Sequence, residues 1–368
     1  MNKIKFSLRQ ILEEINDFRN KKLITHIYAD VLLIIIIGVL SGIKCSLHIA
    51  YFAKYHREWF REKLRISKIP SHDTIDRLLN LTNFRELETA LTLWLEHVLK
   101  DKHIRKHVAI DGKKIDKKSP NTTTFVRAFI PDIKMVIAGQ KISAYSNEIV
   151  AIPKLIKKLN LKGYFVTIDA IGTQASIAQL LVSKGAHYVL PVKKNQKMLY
   201  EDIMLYAESE LSEAEVFETK ESGHGRDEIR RFYAFKNIDW LIDRHSKWRH
   251  IKSFGLLKSY RKKSDKPWTK TMRIFISNCI LTAKEYLALI RSHWEIENNL
   301  HWPLNQSFEE NKIRSKSTNF IINFSSINSF CLTLLYHLKA RNISFNLQKI
   351  ILASGALSQI SKLLYLGH

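Results

Sequence analysis

A chain of 368 residues is long enough for two or three domains with substantial cores, and a hydrophobic share of 45% is ordinary for a globular protein. With 59 Lys and Arg against 35 Asp and Glu, the net charge is +24 and spread along the whole length, which points to a polyanionic partner, most often nucleic acid. Cys45, Cys279 and Cys331 lie far apart, which excludes a disulfide framework and a cysteine zinc site and fits a reducing cytosol.

Residues 1–100 read as an all-helical domain. The first ten residues lack the apolar core of a signal peptide. Residues 7–20 predict a first helix. The run 31–40 (VLLIIIIGVL) is very apolar, but Asp30 and Ser41-Gly42 bound it, and a bilayer span needs about twice that length. It reads as a buried core helix, with no membrane as partner. A third helix is expected over 47–60. In the phrase IPSHDTIDRLL, Ser71 or Asp73 caps a helix over 74–79, which accounts for His72 and Asp73 without chemistry.

After the basic linker KDKHIRKH the texture changes to short β-branched and aromatic runs. Residues 107–110 (HVAI) predict a strand ended by Asp111-Gly112. Residues 125–130 and 135–138 predict a hairpin around Pro131-Asp132. A helix over 147–159, a strand over 164–168 closed by Asp169, a helix over 174–184 and a strand over 187–192 follow. The pattern is α/β with a mixed sheet. Residues 199–276 loosen into a β-rich insertion with strands near 229–235 and 271–277. The domains expected are therefore 1–100; a core of 101–198 and 277–340; the insertion 199–276; and a helical tail 341–368.

The core closes on RSHWEIENNLHW, residues 291–302. Thr282 with Glu285 three residues on forms a capping-box pattern that starts this helix. Helical spacing puts Tyr286, Ile290, His293, Glu297 and His301 on one stripe, which reads as buried. A carboxylate there needs a cationic side chain or a metal ion. Asp111 and Asp169 each sit just past an apolar strand, where ligands gather in open α/β sheets. Taken singly, Asp-Gly and Asp-Ala are ordinary turn pairs and Glu297 has an Arg or Lys to pair with. Together, on a basic chain, the three acids fit two-metal phosphoryl chemistry with Mg²⁺ or Mn²⁺.

Seven phrases carry a resemblance: IPSHDTIDRLL, VAIDGK, SNEIVAIP, TIDAIGTQ, PVKKNQ, GHGRDEIR and RSHWEIENNLHW, in order from residue 69 to residue 302. With these the chain resembles the H-repeat-associated branch of the DDE transposases. The resemblance implies an RNase H-like core, a helical N-terminal domain and a β insertion before the final acid. It assigns Asp111, Asp169 and Glu297 as catalytic and metal-binding acids, with Glu295 as the rival for the third role. It implies Mg²⁺-dependent endonuclease cleavage at the ends of an insertion sequence, attack of the freed 3′-hydroxyl on target DNA, and a homodimer or larger synaptic complex. The protein is then cytoplasmic, and nucleoid-associated when bound to DNA. Arg291 and His293 would hold phosphate or the acid cluster, with Asn298 and His301 supporting that face. Two departures follow Trp302: Asn305 and Asn311 stand where relatives usually carry Asp, in a stretch about two residues shorter. They leave a decayed or repurposed DNA-binding protein as the alternative, and a general RNase H-like nuclease as a third reading.

Basic residues flank each acid. Lys113, Lys114, Lys117 and Lys118 surround Asp111. Lys193, Lys194 and Gln196 follow the strand after Asp169. His224, Arg226, Arg230 and Arg231 lie in the insertion, and Lys312, Arg314 and Lys316 follow the final helix. As a set they read as a DNA channel. Trp240, Trp248 and Trp268 suit packing of the insertion at least as well as base stacking.

Overall fold

In a computed structural model, the described residues are 7–354 apart from 21, 23, 101, 103–105, 116–122, 143–145, 224, 264–265, 314, 316 and 339–342. Lys117, Lys118, His224, Arg314, Lys316 and much of the expected tail lie outside them.

Six helices come first: α1 (Leu8–Glu13), α2 (Tyr28–Leu40), α3 (Ser46–Tyr55), α4 (Arg57–Leu64), α5 (His72–Leu81) and α6 (Phe84–Leu99). Helix α1 stops well short of Asn20. Beyond it the Asn16 N–H donates to Glu86 at 2.9 Å and Asp17 pairs with Arg19, so the chain spends its polar groups outside the helix. Every residue of α2 is buried, Asp30 included, whose carboxylate meets Arg9 at 2.6 Å. The single helix expected over 47–60 is two, because His56 leaves the helical well (φ −97°, ψ 20°). The Ser71 hydroxyl caps α5 by accepting the Thr74 N–H at 3.3 Å.

The strands are β1 (His107–Ile115), β2 (Thr123–Ile130), β3 (Met135–Lys141), β4 (Phe165–Ile168), β5 (His187–Val192), β6 (Glu215–Gly223), β7 (Arg226–Phe235), β8 (Ser253–Lys263) and β9 (Thr269–Ser277). Helices α7 (Glu148–Lys158) and α8 (Ala175–Ser183) flank β4; α9 (Lys197–Ser209) lies between β5 and β6, and α10 (Asp239–Arg244) between β7 and β8. All nine strands form one mixed sheet, ordered β3-β2-β1-β4-β5-β9-β8-β7-β6. An antiparallel meander β1-β2-β3 is followed by β4 and β5, both parallel to β1: an RNase H-like core. Strand β9 runs antiparallel to β5 and carries β8, β7 and β6 outward.

One expectation is corrected here. Asp111-Gly112 does not end β1. Parallel pairing with β4 stops at Ile110↔Ile168, while antiparallel pairing with β2 runs on to Ile115↔Thr123. Asp111 therefore stands inside a continuous strand, at the point where its parallel neighbour has ended.

After the sheet come α11 (Ala283–His293), a π-helical turn Glu297–His301, α12 (Trp302–Gln306), α13 (Thr318–Leu338) and α14 (Phe345–Ser354). Helix α13 is long and apolar enough to cross a bilayer, but 78% of its apolar window is buried against other parts of the chain. It packs on α2, α5, α6 and β3. Its buried Asn323 donates to the carbonyls of Leu79 and Thr82 at 2.8 and 3.0 Å, which ties the helical N-terminal part to the core.

Candidate active site

Helix α11 starts as its sequence dictates. The Thr282 hydroxyl accepts the Glu285 N–H at 3.2 Å, and the Glu285 carboxylate accepts the Thr282 N–H at 2.8 Å. Tyr286, Leu287 and Ile290 then bury their side chains against Phe232, Leu257 and Phe275 of the sheet. Past His293 the helix widens into the π turn. There His301 Nδ1 lies 3.0 Å from Glu297 Oε2 and 3.6 Å from Asp111 Oδ2.

Asp111, Asp169 and Glu297 all line one cavity of about 390 Å³, with Thr167, Lys193, Arg273, His293 and Trp294. Strand β1 supplies the first acid, the end of β4 the second and the π turn the third. Asp111, Glu297 and His301 each offer a ligand atom within 4.8 Å of the others. The stripe expected to be buried is only partly so. Tyr286, Ile290 and His301 are buried, but 54% of the Glu297 side chain is exposed, so Glu297 stands at the mouth. Asp111 lies further in, with 25% of its side chain exposed. Burial and then the charge of Asp169 push its carboxyl up to about 7.

The supports around the acids are specific. Asp169 accepts the Gly172 N–H at 3.2 Å. Its loop is braced by Asn195, which donates to the Ala170 carbonyl at 2.8 Å, and by the Thr173 hydroxyl on the Pro191 carbonyl at 2.7 Å. Gln196, expected on DNA, donates instead to the Thr173 carbonyl at 3.1 Å and belongs to this brace. Beneath the cavity the Thr167 hydroxyl sits 2.9 Å from both His293 Nδ1 and His107 Nε2, and His107 Nδ1 lies 3.0 Å from Ser292. Burial pushes His293 down to about 4, so its ring is neutral near pH 7; of the two roles expected for it, phosphate or the acid cluster, its place in the wall of the acid cavity fits the second. His301 is corrected likewise: it is 3% exposed, burial lowers its pKa, and it faces the acids rather than a DNA surface.

Lys113 also moves from the DNA list to the interior. Its ammonium donates to Glu310 at 2.5 Å and to the His301 carbonyl at 3.4 Å. Glu310 is fully buried and takes Arg127 at 2.7 Å as well as Ser325. Burial alone would raise Glu310; Arg127 and Lys113 outweigh it and hold the carboxyl down to about 2. Sequence reasoning missed this cluster. It also missed Glu148 at the start of α7, a half-buried acid whose charge reaches Asp111. Gly112 makes room for it: a Cβ at that position would fall 2.2 Å from Glu148 Oε1.

The other basic candidates divide. Lys193 lines the acid cavity, and Lys114 and Lys194 are exposed beside it in sequence. Arg226, Arg230, Arg291 and Asn298 line a second cavity of about 560 Å³, which shares Arg273, Ile290 and Trp294 with the first. Arg231 lies outside it, paired with Glu218, and Lys312 pairs with Glu309 at 3.2 Å. Asn305 and Asn311, the departures after Trp302, each bury an Oδ1 that has no hydrogen-bond partner among the described residues.

Residues 103–334 match the family model described as Transposase DDE domain, and residues 9–95 the one described as DDE_Tnp_1-associated. The chain belongs to the DDE transposase family. The H repeat-associated YhhI of Escherichia coli (strain K12) is 30% identical over 345 residues, covering 89% of this transposase and 90% of its own length. YncI of Escherichia coli O157:H7 is 31% identical over 342 residues, 89% and 87% of the two chains. A solved piggyBac transposase synaptic complex with hairpin DNA aligns over 97% of this chain and 77% of its own, at 13% identity and a TM-score of 0.43.

Proposed function

We propose that this transposase cuts DNA at the ends of its insertion sequence and joins the freed 3′-hydroxyl to target DNA, with Asp111, Asp169 and Glu297 as the metal-binding acids. One observation carries the reading: three acids from distant parts of the chain face one cavity, and Asp111 among them is held up to about 7 by burial and by the charge of Asp169. Such a cluster is relieved by a divalent cation, and its oxygen ligands suit Mg²⁺ or Mn²⁺, two ions as in other phosphoryl-transfer sites. Bound there, the ions would supply an activated water or hydroxyl and charge neutralisation at the leaving oxygen.

The chain's own residues do the rest. As the Nδ1–H tautomer, His301 donates to Glu297 and orients its carboxylate. Asn195 and Thr173 fix the loop that presents Asp169. Lys193 and Arg273 at the cavity wall hold the phosphodiester, and the arginine-lined cavity beside it takes the flanking backbone. The partners are element ends and target DNA, paired in a dimer or larger assembly, and the site of action is the nucleoid.

The test is nicking of a duplex carrying the element's own ends, with Mg²⁺ or with EDTA. Asp111→Asn, Asp169→Asn and Glu297→Gln should each abolish nicking while DNA affinity stays within about threefold, because few phosphate contacts are lost. A variant that still nicks removes its residue from the site. The buried unpartnered oxygens of Asn305 and Asn311 favour a second reading, a copy that binds DNA without cutting it. Wild-type binding with no nicking in Mg²⁺, or in Mn²⁺ in its place, would establish that reading.

A further inference from the structure

The cavity beside the acids carries an arrangement that charge alone does not explain. In strand register Glu221 of β6 faces Glu228 of β7, which faces Arg261 of β8. Like charges directly opposite weaken a strand pair, and a carboxylate in a basic trough weakens any hold on phosphate. Yet Glu228 is 4% exposed and holds three guanidiniums at once: Arg226 at 3.0 Å, Arg230 at 2.8 Å and Arg261 at 3.2 Å. Glu221 takes Arg230 at 2.9 Å and also Arg291. Arg273, over the half-exposed ring of Trp294 at 5.4 Å, completes the wall toward the acid pocket.

These contacts leave most of the donors unused. A guanidinium has five N–H groups, and each contact to Glu228 engages one nitrogen. The side chains of Arg226, Arg261 and Arg291 remain 42, 48 and 47% exposed. Five arginines against two carboxylates leave three positive charges in surplus. A long arginine side chain loses rotamer freedom when it grips a phosphate, and that loss is smaller where a buried carboxylate already fixes the fork.

We propose that this trough is a phosphate-backbone site for the DNA strand running out of the acid pocket, and that Glu228 is its positioning residue. Glu228 holds arginines from two strands as a rigid fan, so that their free N–H groups meet successive phosphates already aimed. The proposal rests on the DNA reading above and assigns Arg261 and Glu228 to it.

The experiment turns on a sign. Fluorescence anisotropy with a fluorescein-labelled 30-bp duplex, across a KCl series, compares wild type with E228Q. Removing a negative charge should tighten binding if the trough acts only by net charge. If Glu228 organises the fan, E228Q should bind about fivefold more weakly and lose part of the salt slope, since fewer counterions are released. R261Q, an exposed change, should weaken binding about threefold and lower the slope by about one contact. E228Q binding as tightly as wild type, or tighter, overturns the proposal. Should E228Q fail to fold, R226Q, R261Q and their double variant decide: arginines held by one carboxylate give non-additive losses, and additive losses overturn it. A wild type without salt-sensitive DNA affinity would sink the DNA reading itself, a distinct outcome.

Discussion

Asp111 ties burial to chemistry most directly. In the unfolded chain an aspartate titrates near about 3.9; in the fold Asp111 is raised to about 7, first by burial and then by Asp169. The native state thus holds a proton that the unfolded chain has already released. Stability from this group is complete below the unfolded value and is lost as pH rises through the folded one. In EDTA, the melting temperature should fall from pH 5 to pH 8 more steeply in wild type than in Asp111→Asn. Glu148 is also raised, and Glu88 stands near 8, so the difference between the two proteins isolates Asp111. Added Mg²⁺ should restore wild type at pH 8 and leave Asp111→Asn unmoved; equal slopes in the two proteins would remove Asp111 as the titrating acid.

Glu310 gives the second residue-scale expectation. Glu310→Ala strands Lys113 and Arg127 in the interior, a loss of about 3–5 kcal/mol in urea unfolding. A loss below about 1 kcal/mol would mean that the cluster relaxes to water. Nothing in the sequence announces this acid. Its partners lie 183 and 197 residues away, and the pair Glu309-Glu310 in a polar stretch reads as solvated. Asp111 was legible because an apolar strand ends its parallel pairing beside it. Lys113, two residues on, was misread because alternation along β1 turns it inward, and strand length, set by β2, was not visible in HVAI.

At the scale of elements, local signals survived and long-range ones did not. The capping box at Thr282 and the turn at Pro131-Asp132 involve neighbours in sequence, so they were read correctly. The early end of α1, where Asn16 meets Glu86, depends on a distant partner, and the break at His56 and the π turn left no local signal in the sequence. His301 meets Glu297 at the i,i+4 spacing of an ordinary helix face, so the pair was legible although the π geometry of the turn was not. His301→Ala should leave the Glu297 carboxylate without its imidazole partner and cut nicking by about 10–100-fold, the usual cost of losing a supporting partner. Circular dichroism and DNA affinity should stay as in wild type. Undiminished nicking would show that His301 does not orient the acid.

Across the whole molecule, α13 sets what can be removed. It is an almost wholly buried helix wedged between the N-terminal helices and β3, with Asn323 bonded to both Leu79 and Thr82. A chain lacking residues 1–100 uncovers the side of α13 that meets α2, α5 and α6, including an amide that loses both acceptors. It should precipitate or aggregate on size-exclusion chromatography, whereas the full chain should not. A well-behaved truncated chain would show that the helical part is an accessory.

Strand β9 has a last consequence. It bonds β5 on one side and β8 on the other, so catalytic core and insertion share one ladder of hydrogen bonds without a joint. On the function proposed above, the span from scissile bond to arginine fan is therefore a ruler graduated in strand residues, about 3.3 Å each. Two residues added to each of β6, β7, β8 and β9 next to the core would keep their register and slide the fan outward by about two nucleotide steps at 3.4 Å per step. The transposase would then choose its cutting position by counting along protein backbone, and bending would have to come from the DNA.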